Sequence, residues 1–139
     1  MFEIGSFPFL FKKGKMYIMI ITSISGKSWI LPKGQPEDDL TKSQVAELET
    51  YEEAGVKGIV CDKKFREEFK REEDGTIVIY PLLIKKILQS WPEKSKRQRR
   101  LVTIKEALNL VTKKEHLKAI NYFSSADISS KFSKAIINC

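Results

Sequence analysis

The sequence predicts an α/β fold in which a mixed sheet lies between helices on both faces. Three observations lead there. Short β-branched and aromatic runs interleave irregularly with helical patterns along the chain. One helix in their midst is punctuated at both ends, with Thr41 placed to cap it and Gly55 placed to end it. The length of 139 residues, with 42% hydrophobic and 31% charged residues, suits one folded domain with a real core.

The elements follow in order. Residues 7–11 and 16–22 flank a Lys12-Lys13-Gly14-Lys15 turn and are expected as two strands. Residues 29–31 form a short strand that stops at Pro32, and 33–39, with Gly34 and Pro36, form a loop. The helix then runs from Thr41 to about Ala54. Residues 56–61 and 64–70 are β-like, and Asp74-Gly75 is a turn signal before a strand over 76–87. Residues 90–100 are polar and basic, hence a loop. Thr103 with Glu106 matches a capping box that opens a helix to about Val111, and a second helix covers about 114–123. The domain is thus read as 1–123, with 124–139 a serine-rich frayed tail or short terminal helix.

The formal net charge of +7 favours anionic partners: nucleotides, inositol phosphates, nucleic acid or an anionic membrane surface. No RRM, KH or zinc-finger signature supports a nucleic-acid module. The apolar runs fall far short of the roughly 20 residues a membrane helix needs, and no signal peptide is evident, so a cytoplasmic protein without membrane attachment is expected. Cys61 and Cys139 form no CxxC pair and no zinc set, and are read as free thiols in a reducing cytosol rather than as a disulfide.

The chemistry gathers on the 41–54 helix. At about 100° per residue, Glu53 lies near +40° and Glu52 near −60° from Glu49, so three carboxylates share one arc. Glu47 points elsewhere. Val45, Leu48, Tyr51 and Ala54 read as the apolar stripe, which puts Glu52 at its edge, where a carboxylate is costly without a partner. Clustered carboxylates also raise one another's pKa, and a divalent cation with a taste for hard oxygen ligands relieves both difficulties. Taken alone, such an arc is more often a solvated acidic face.

The flanking residues shift that balance. Trp29-Ile-Leu-Pro-Lys-Gly34 precedes the helix, and Glu49-Thr-Tyr-Glu-Glu-Ala-Gly-Val56 closes it. From Gly34 to Val56 the chain resembles the Nudix box, G-x5-E-x7-R-E-U-x-E-E-x-G-U with U aliphatic. Gly34, Glu49, Glu52, Glu53, Gly55 and Val56 fall on matching positions, and the resemblance extends over about residues 4–123. It departs at Leu40, where the pattern has glutamate, at Leu48, where it has arginine, and at Thr50, where it has an aliphatic residue.

The resemblance implies a Nudix-type α/β/α sandwich and a Mg²⁺- or Mn²⁺-dependent hydrolase. The bond split would be a phosphoanhydride in a nucleoside diphosphate derivative, a dinucleoside polyphosphate or a similar small substrate. It implies Glu49, Glu52 and Glu53 as metal ligands and catalytic residues, with the residue at 49 or 53 orienting or deprotonating water, and a carbonyl near Gly34 as a further ligand. The family arginine usually pairs with a box glutamate and orients it, which Leu48 cannot do. The alternative is a Nudix-like domain weakened in catalysis that senses a nucleotide or binds RNA.

Leu31-Pro-Lys-Gly34 and the run from Trp91 to Arg100 before a Glu-Ala-Leu helix resemble the diadenosine-polyphosphate and diphosphoinositol-polyphosphate hydrolase branches, although Glu-Trp-Phe is absent near Arg100-Leu101-Val102. Lys33, Gly34 and Arg97 are the expected substrate contacts. Two readings stay open for Lys96, Arg97 and Arg99: a polyphosphate clamp, or a solvated basic loop. His116 is expected on an exposed helix face, Trp29 as packing at a strand end with base stacking as the other option, and Lys12, Lys13 and Lys15 as turn charges. Glu67, Glu68, Glu72 and Glu73 are expected as surface.

Overall fold

A computed structural model describes residues 2–139, the side chain of Asn138 excepted. Among these residues eight strands form one mixed sheet. β1 (Phe2–Lys12) and β2 (Lys15–Thr22) make a hairpin. Its turn uses Lys13 and Gly14 at positive φ, 50° and 76°, the geometry that matches strand twist. β1 also runs parallel to β7 (Thr76–Ile87), from Phe2 opposite Thr76 to Phe9 opposite Leu83. β3 (Trp29–Ile30) and β8 (Arg99–Thr103) pair with β2, β4 (Lys33–Gly34) with β1, and β5 (Val56–Ile59) and β6 (Glu67–Lys70) with β7, all antiparallel.

The side-chain period of two divides the core. On one face Ile18 and Ile20 of β2 and Ile77 and Ile79 of β7 join Phe7 and Phe9 beneath α2 (Ile104–Leu110), α3 (Lys114–Ser124) and α4 (Ala126–Ala135). On the other, Met19 and Ile21 of β2 and Val78, Tyr80, Leu82 and Ile84 of β7 lie with Val45, Ala46 and Ala54 of α1 (Lys42–Ala54). The α/β/α sandwich is therefore present, with the sheet buried on both faces. Each fully buried Phe or Ile contributes about 2 kcal/mol.

Three expectations change, and for the tail the second of two readings holds. β1 begins at Phe2, ahead of the apolar run at 7–11, because Glu3 and Ser6 are buried and partnered inside the sheet. The tail past 124 is the helix α4, capped by Ser125, and its Phe132 packs against Phe9 with ring centroids 4.9 Å apart. His116 is fully buried rather than exposed, since it accepts the Leu31 N–H at Nδ1, 3.0 Å away. Cys61 and Cys139 are joined in a disulfide across a Cα separation of 5.8 Å. The folded α4 carries the chain end to the strand β5, so the free-thiol reading is corrected and the cytosolic inference loses that support. No helix among the described residues is long and apolar enough to cross a membrane.

Candidate active site

α1 is held at its start by a reciprocal capping box between Thr41 and Gln44, and at its end by Gly55 in the left-handed region at φ 65°. The residues it buries are Ser43, Val45, Ala46, Thr50, Glu53 and Ala54. The inward arc is thus centred on Ala46 and Thr50, on the far side of the helix from Leu48. Thr50 can lie inside because its hydroxyl donates to the Ala46 carbonyl and accepts from Ser6 Oγ, each at 2.6 Å. Leu48 and Tyr51 are half-exposed beside Gln44 and Lys57. Glu53, not Glu52, is the carboxylate at the buried edge. The sequence stripe was out of phase because a hydroxyl satisfied within the fold behaves as a core residue.

Glu53 is 6% exposed, and each of its oxygens has a protein donor. Oε1 accepts the Lys33 backbone N–H at 3.0 Å, and Oε2 accepts from the Arg97 guanidinium at 3.2 Å. Burial raises its pKa to about 7 against the lowering effect of those two partners. Burial also raises Glu49 to about 7, and the charges of Glu53, Glu52, Glu93 and Glu37 push the same way. The Glu49 carboxyl lies against the bare Cα of Gly34, where an added Cβ would overlap it.

The Leu31-Pro-Lys-Gly34 segment is fixed from three sides. His116 takes the Leu31 N–H, the Pro32 carbonyl accepts from Ser6 N–H at 3.0 Å, and Gly34 lies opposite Ile4 in the sheet. The Lys33 ammonium is bound to Glu3 at 2.7 Å. Its backbone N–H, rather than its charge, meets the carboxylate cluster.

The sequence predicts a polar, basic loop after β7, with Lys96, Arg97 and Arg99 either a polyphosphate clamp or a solvated face. The segment is a collar around the end of α1. The last carbonyls of a helix lack partners within it, and here the Glu93 N–H takes that of Glu52 at 3.0 Å, while the Trp91 indole takes that of Glu53 at 3.2 Å. Arg99 takes those of Ala54 and Gly55, at 3.0 and 3.2 Å, and stacks on Trp91 with its guanidinium 3.8 Å from the ring centroid. Arg97 is about as enclosed: besides Glu53 it binds Glu93 at 2.8 Å and the Thr22 carbonyl at 3.0 Å. Lys94 and Lys96 stay exposed and line a groove of about 380 Å³ with Trp29, Gln98 and Arg97. Only the aromatic and arginine content of 91–99 hints at this in sequence, since no regular spacing marks a collar.

Among the described residues no group of three His, Cys, Asp or Glu side chains is drawn together tightly enough to hold a metal ion. The donor chemistry still fits a hard divalent cation. Glu49 and Glu52 have no lysine or arginine ion-pair partner among the described residues. The mutual repulsion at Glu49 is what a cation would remove.

No model of a protein family matches the chain. Nudix hydrolase 16, mitochondrial, of Arabidopsis thaliana is 37% identical over 100 residues, which are 66% of this chain and 56% of that protein. Nudix hydrolase 12, mitochondrial, of the same plant is 35% identical over 106 residues, 69% of this chain and 52% of that protein. For Nudix hydrolase 21, chloroplastic, the identity is 33% over 114 residues, 77% of this chain and 58% of that protein. The chain belongs to the Nudix hydrolase family. It spans about half the length of the curated relatives it matches.

The Nudix fold is matched over nearly the whole chain. An Ap4A hydrolase of C. elegans in a binary complex superimposes with a TM-score of 0.71 at 19% identity, over 93% of this chain and 98% of that one. The Nudix domain of Shewanella oneidensis NrtR, complexed with ADP ribose, gives a TM-score of 0.61 at 14% identity, over 86% of this chain and 83% of that one. Within the Nudix box, the departures at Thr50 and Leu48 fall on opposite sides of α1, one sealed against β1 and the other facing outward.

Proposed function

We propose that this Nudix domain is a divalent-metal-dependent hydrolase of phosphoanhydride bonds in a nucleoside diphosphate derivative, a dinucleoside polyphosphate or a similar polyphosphorylated small molecule. The observation that carries the reading is the Glu49 carboxyl packed on Gly34, a residue with no side chain, with Glu53 bound to the adjoining Lys33 N–H and the charges of Glu53 and Glu52 adding to the burial that raises the Glu49 pKa to about 7. A surface patch of solvated carboxylates would lie open to water rather than be pressed against backbone.

Glu49, Glu52 and Glu53 would hold the Mg²⁺ or Mn²⁺ ion, with the Gly34 carbonyl as a further ligand, and the bound ion would supply an activated water and offset phosphate charge. Glu49 or Glu53 would orient or deprotonate the attacking water. Glu53 is held in one orientation by the Lys33 N–H and Arg97. Substrate phosphates would lie over Lys94 and Lys96 in the groove, because the charged groups of Lys33 and Arg97 are bound by Glu3 and by Glu53 and Glu93. The Ap4A hydrolase and ADP ribose complex among the structural neighbours support phosphorylated nucleosides as the first class to try.

The test is hydrolysis with magnesium of nucleoside triphosphates, dinucleoside polyphosphates, ADP-ribose and diphosphoinositol phosphates, followed by chromatography of the products, with Glu52→Gln and Glu53→Gln as controls. Turnover lost in both variants is the expected result. No turnover on any substrate, together with magnesium-independent ligand binding, would replace the hydrolase with a nucleotide sensor. Turnover untouched by both substitutions would remove the site assignment.

A further inference from the structure

We infer that Arg97 is a positioning residue that supplies, from the collar, the guanidinium missing at position 48 of the Nudix box; the inference rests on the hydrolase reading above. Leu48 offers no charge and faces outward beside Gln44 and Lys57. Arg97 approaches the cluster from the inner side of α1 and ion-pairs with Glu53 at 3.2 Å, with both side chains at least nine-tenths enclosed.

Three features give this pair a single geometry. Arg97 is clamped by Glu93 at 2.8 Å and by the Thr22 carbonyl at 3.0 Å, so its guanidinium has little freedom. Glu93 in turn donates its N–H to the Glu52 carbonyl, which ties the clamp to the helix that bears the glutamates. The second oxygen of Glu53 is taken by the Lys33 N–H at 3.0 Å, so the carboxylate is stretched between the collar and the Leu-Pro-Lys-Gly segment. A carboxylate has about four acceptor sites, so both oxygens keep a lone pair directed elsewhere. An arginine bound in this way fixes a ligand's direction and does not itself reach for substrate, which is how a supporting residue raises the efficiency of the ligand it touches.

The test uses magnesium and the phosphoanhydride that the wild-type protein cleaves fastest. Arg97→Met is expected to lower kcat by about 10- to 100-fold and leave KM within about threefold. Arg97→Lys, which keeps the charge but loses the planar fork, is expected to recover part of the loss and guards against a variant that fails to fold. In a Glu53→Gln background, where turnover is already lost, Arg97→Met is expected to lower Mn²⁺ affinity no further, because both changes act through one carboxylate. A rise in KM with kcat retained would make Arg97 a substrate contact, and an additive loss of Mn²⁺ affinity on Glu53→Gln would show that it acts apart from Glu53; either result overturns the inference.

A readout without turnover separates this from the hydrolase reading. In metal-free protein the Lys33 amide proton, bound to Glu53, is expected to shift upfield and lose exchange protection in Arg97→Met. If the wild type cleaves nothing, the hydrolase reading falls on its own. An unchanged Lys33 amide would then sink the Arg97 inference, and a shifted one would uphold the positioning of Glu53.

Discussion

At Gly34 the absence of a side chain is a requirement of contact. The Glu49 carboxyl occupies the space a Cβ would take. Gly34→Ala is therefore expected to push Glu49 out of the cluster and lower manganese affinity and turnover by about 10- to 100-fold, while thermal stability changes little. Titration with Mn²⁺ followed by paramagnetic resonance measures the first, and retained affinity would disprove the contact. His116 gives a residue-scale prediction about pH. Burial, with Lys33, Lys113 and Arg71 nearby, pushes its pKa down from 6.5 to about 3. Between those values the unfolded chain binds a proton that the fold refuses. Its contribution is thus intact above about pH 6.5 and lost as pH falls. Glu49 and Glu53, raised to about 7, act in the opposite sense over part of this range, so the bare stability curve mixes the two. The difference between wild type and His116→Gln isolates the histidine: it should move against the wild type by at most about 1.4 kcal/mol per pH unit below pH 6.5. Urea midpoints of both proteins at pH 7.5, 6 and 5 check this, and a constant difference would contradict it.

At the scale of elements, the collar is what the sequence concealed. The capped helix was legible, since Thr41, Gln44 and Gly55 act through local chemistry that neighbours in sequence specify. The box match pointed to Glu49, Glu52 and Glu53, of which the fold sets Glu49 against Gly34 and Glu53 against Arg97. The phase of burial was not legible, because Thr50 enters the core only by virtue of Ser6, a partner from another strand. Nor was the role of Trp91 and Arg99, whose acceptors are helix-end carbonyls forty residues or so distant in sequence. Their composition reads as a solvated basic loop until the helix end is placed beside it. Trp91→Ala removes the indole bond to the Glu53 carbonyl and the surface on which Arg99 stacks. A loss of about 2 kcal/mol is expected from these two together. Hydrogen exchange should accelerate in the last turn of α1 more than in its first. Equal acceleration at both ends would show that the collar does not hold the helix terminus.

For the whole molecule, α4 and the disulfide bring the chain end back to the sheet. Phe132 sits 2% exposed within the same core as Phe9 and Phe123, so the serine-rich composition of the tail misleads about its packing. The bond between Cys61 and Cys139 spans 78 residues. Closing a loop of that length restricts the unfolded chain enough to contribute about 2–4 kcal/mol. Cys61→Ser should lower the unfolding free energy by that amount under oxidising conditions, and wild type in dithiothreitol should behave like the variant. A variant as stable as oxidised wild type would show that the tether adds nothing to the packing of Phe132.

The parallel pairing of β1 with β7 has a consequence for how the protein comes into being. Phe2 waits for Thr76, and Phe9 for Leu83. Glu49, Glu52 and Glu53 leave the ribosome before that partner exists, and before the collar that holds Glu53 has been made. Contacts so remote along the chain form late and slowly. The carboxylate geometry at Glu53 therefore depends on residues made after α1. A chain halted short of Arg97 carries the whole box without the guanidinium that holds Glu53.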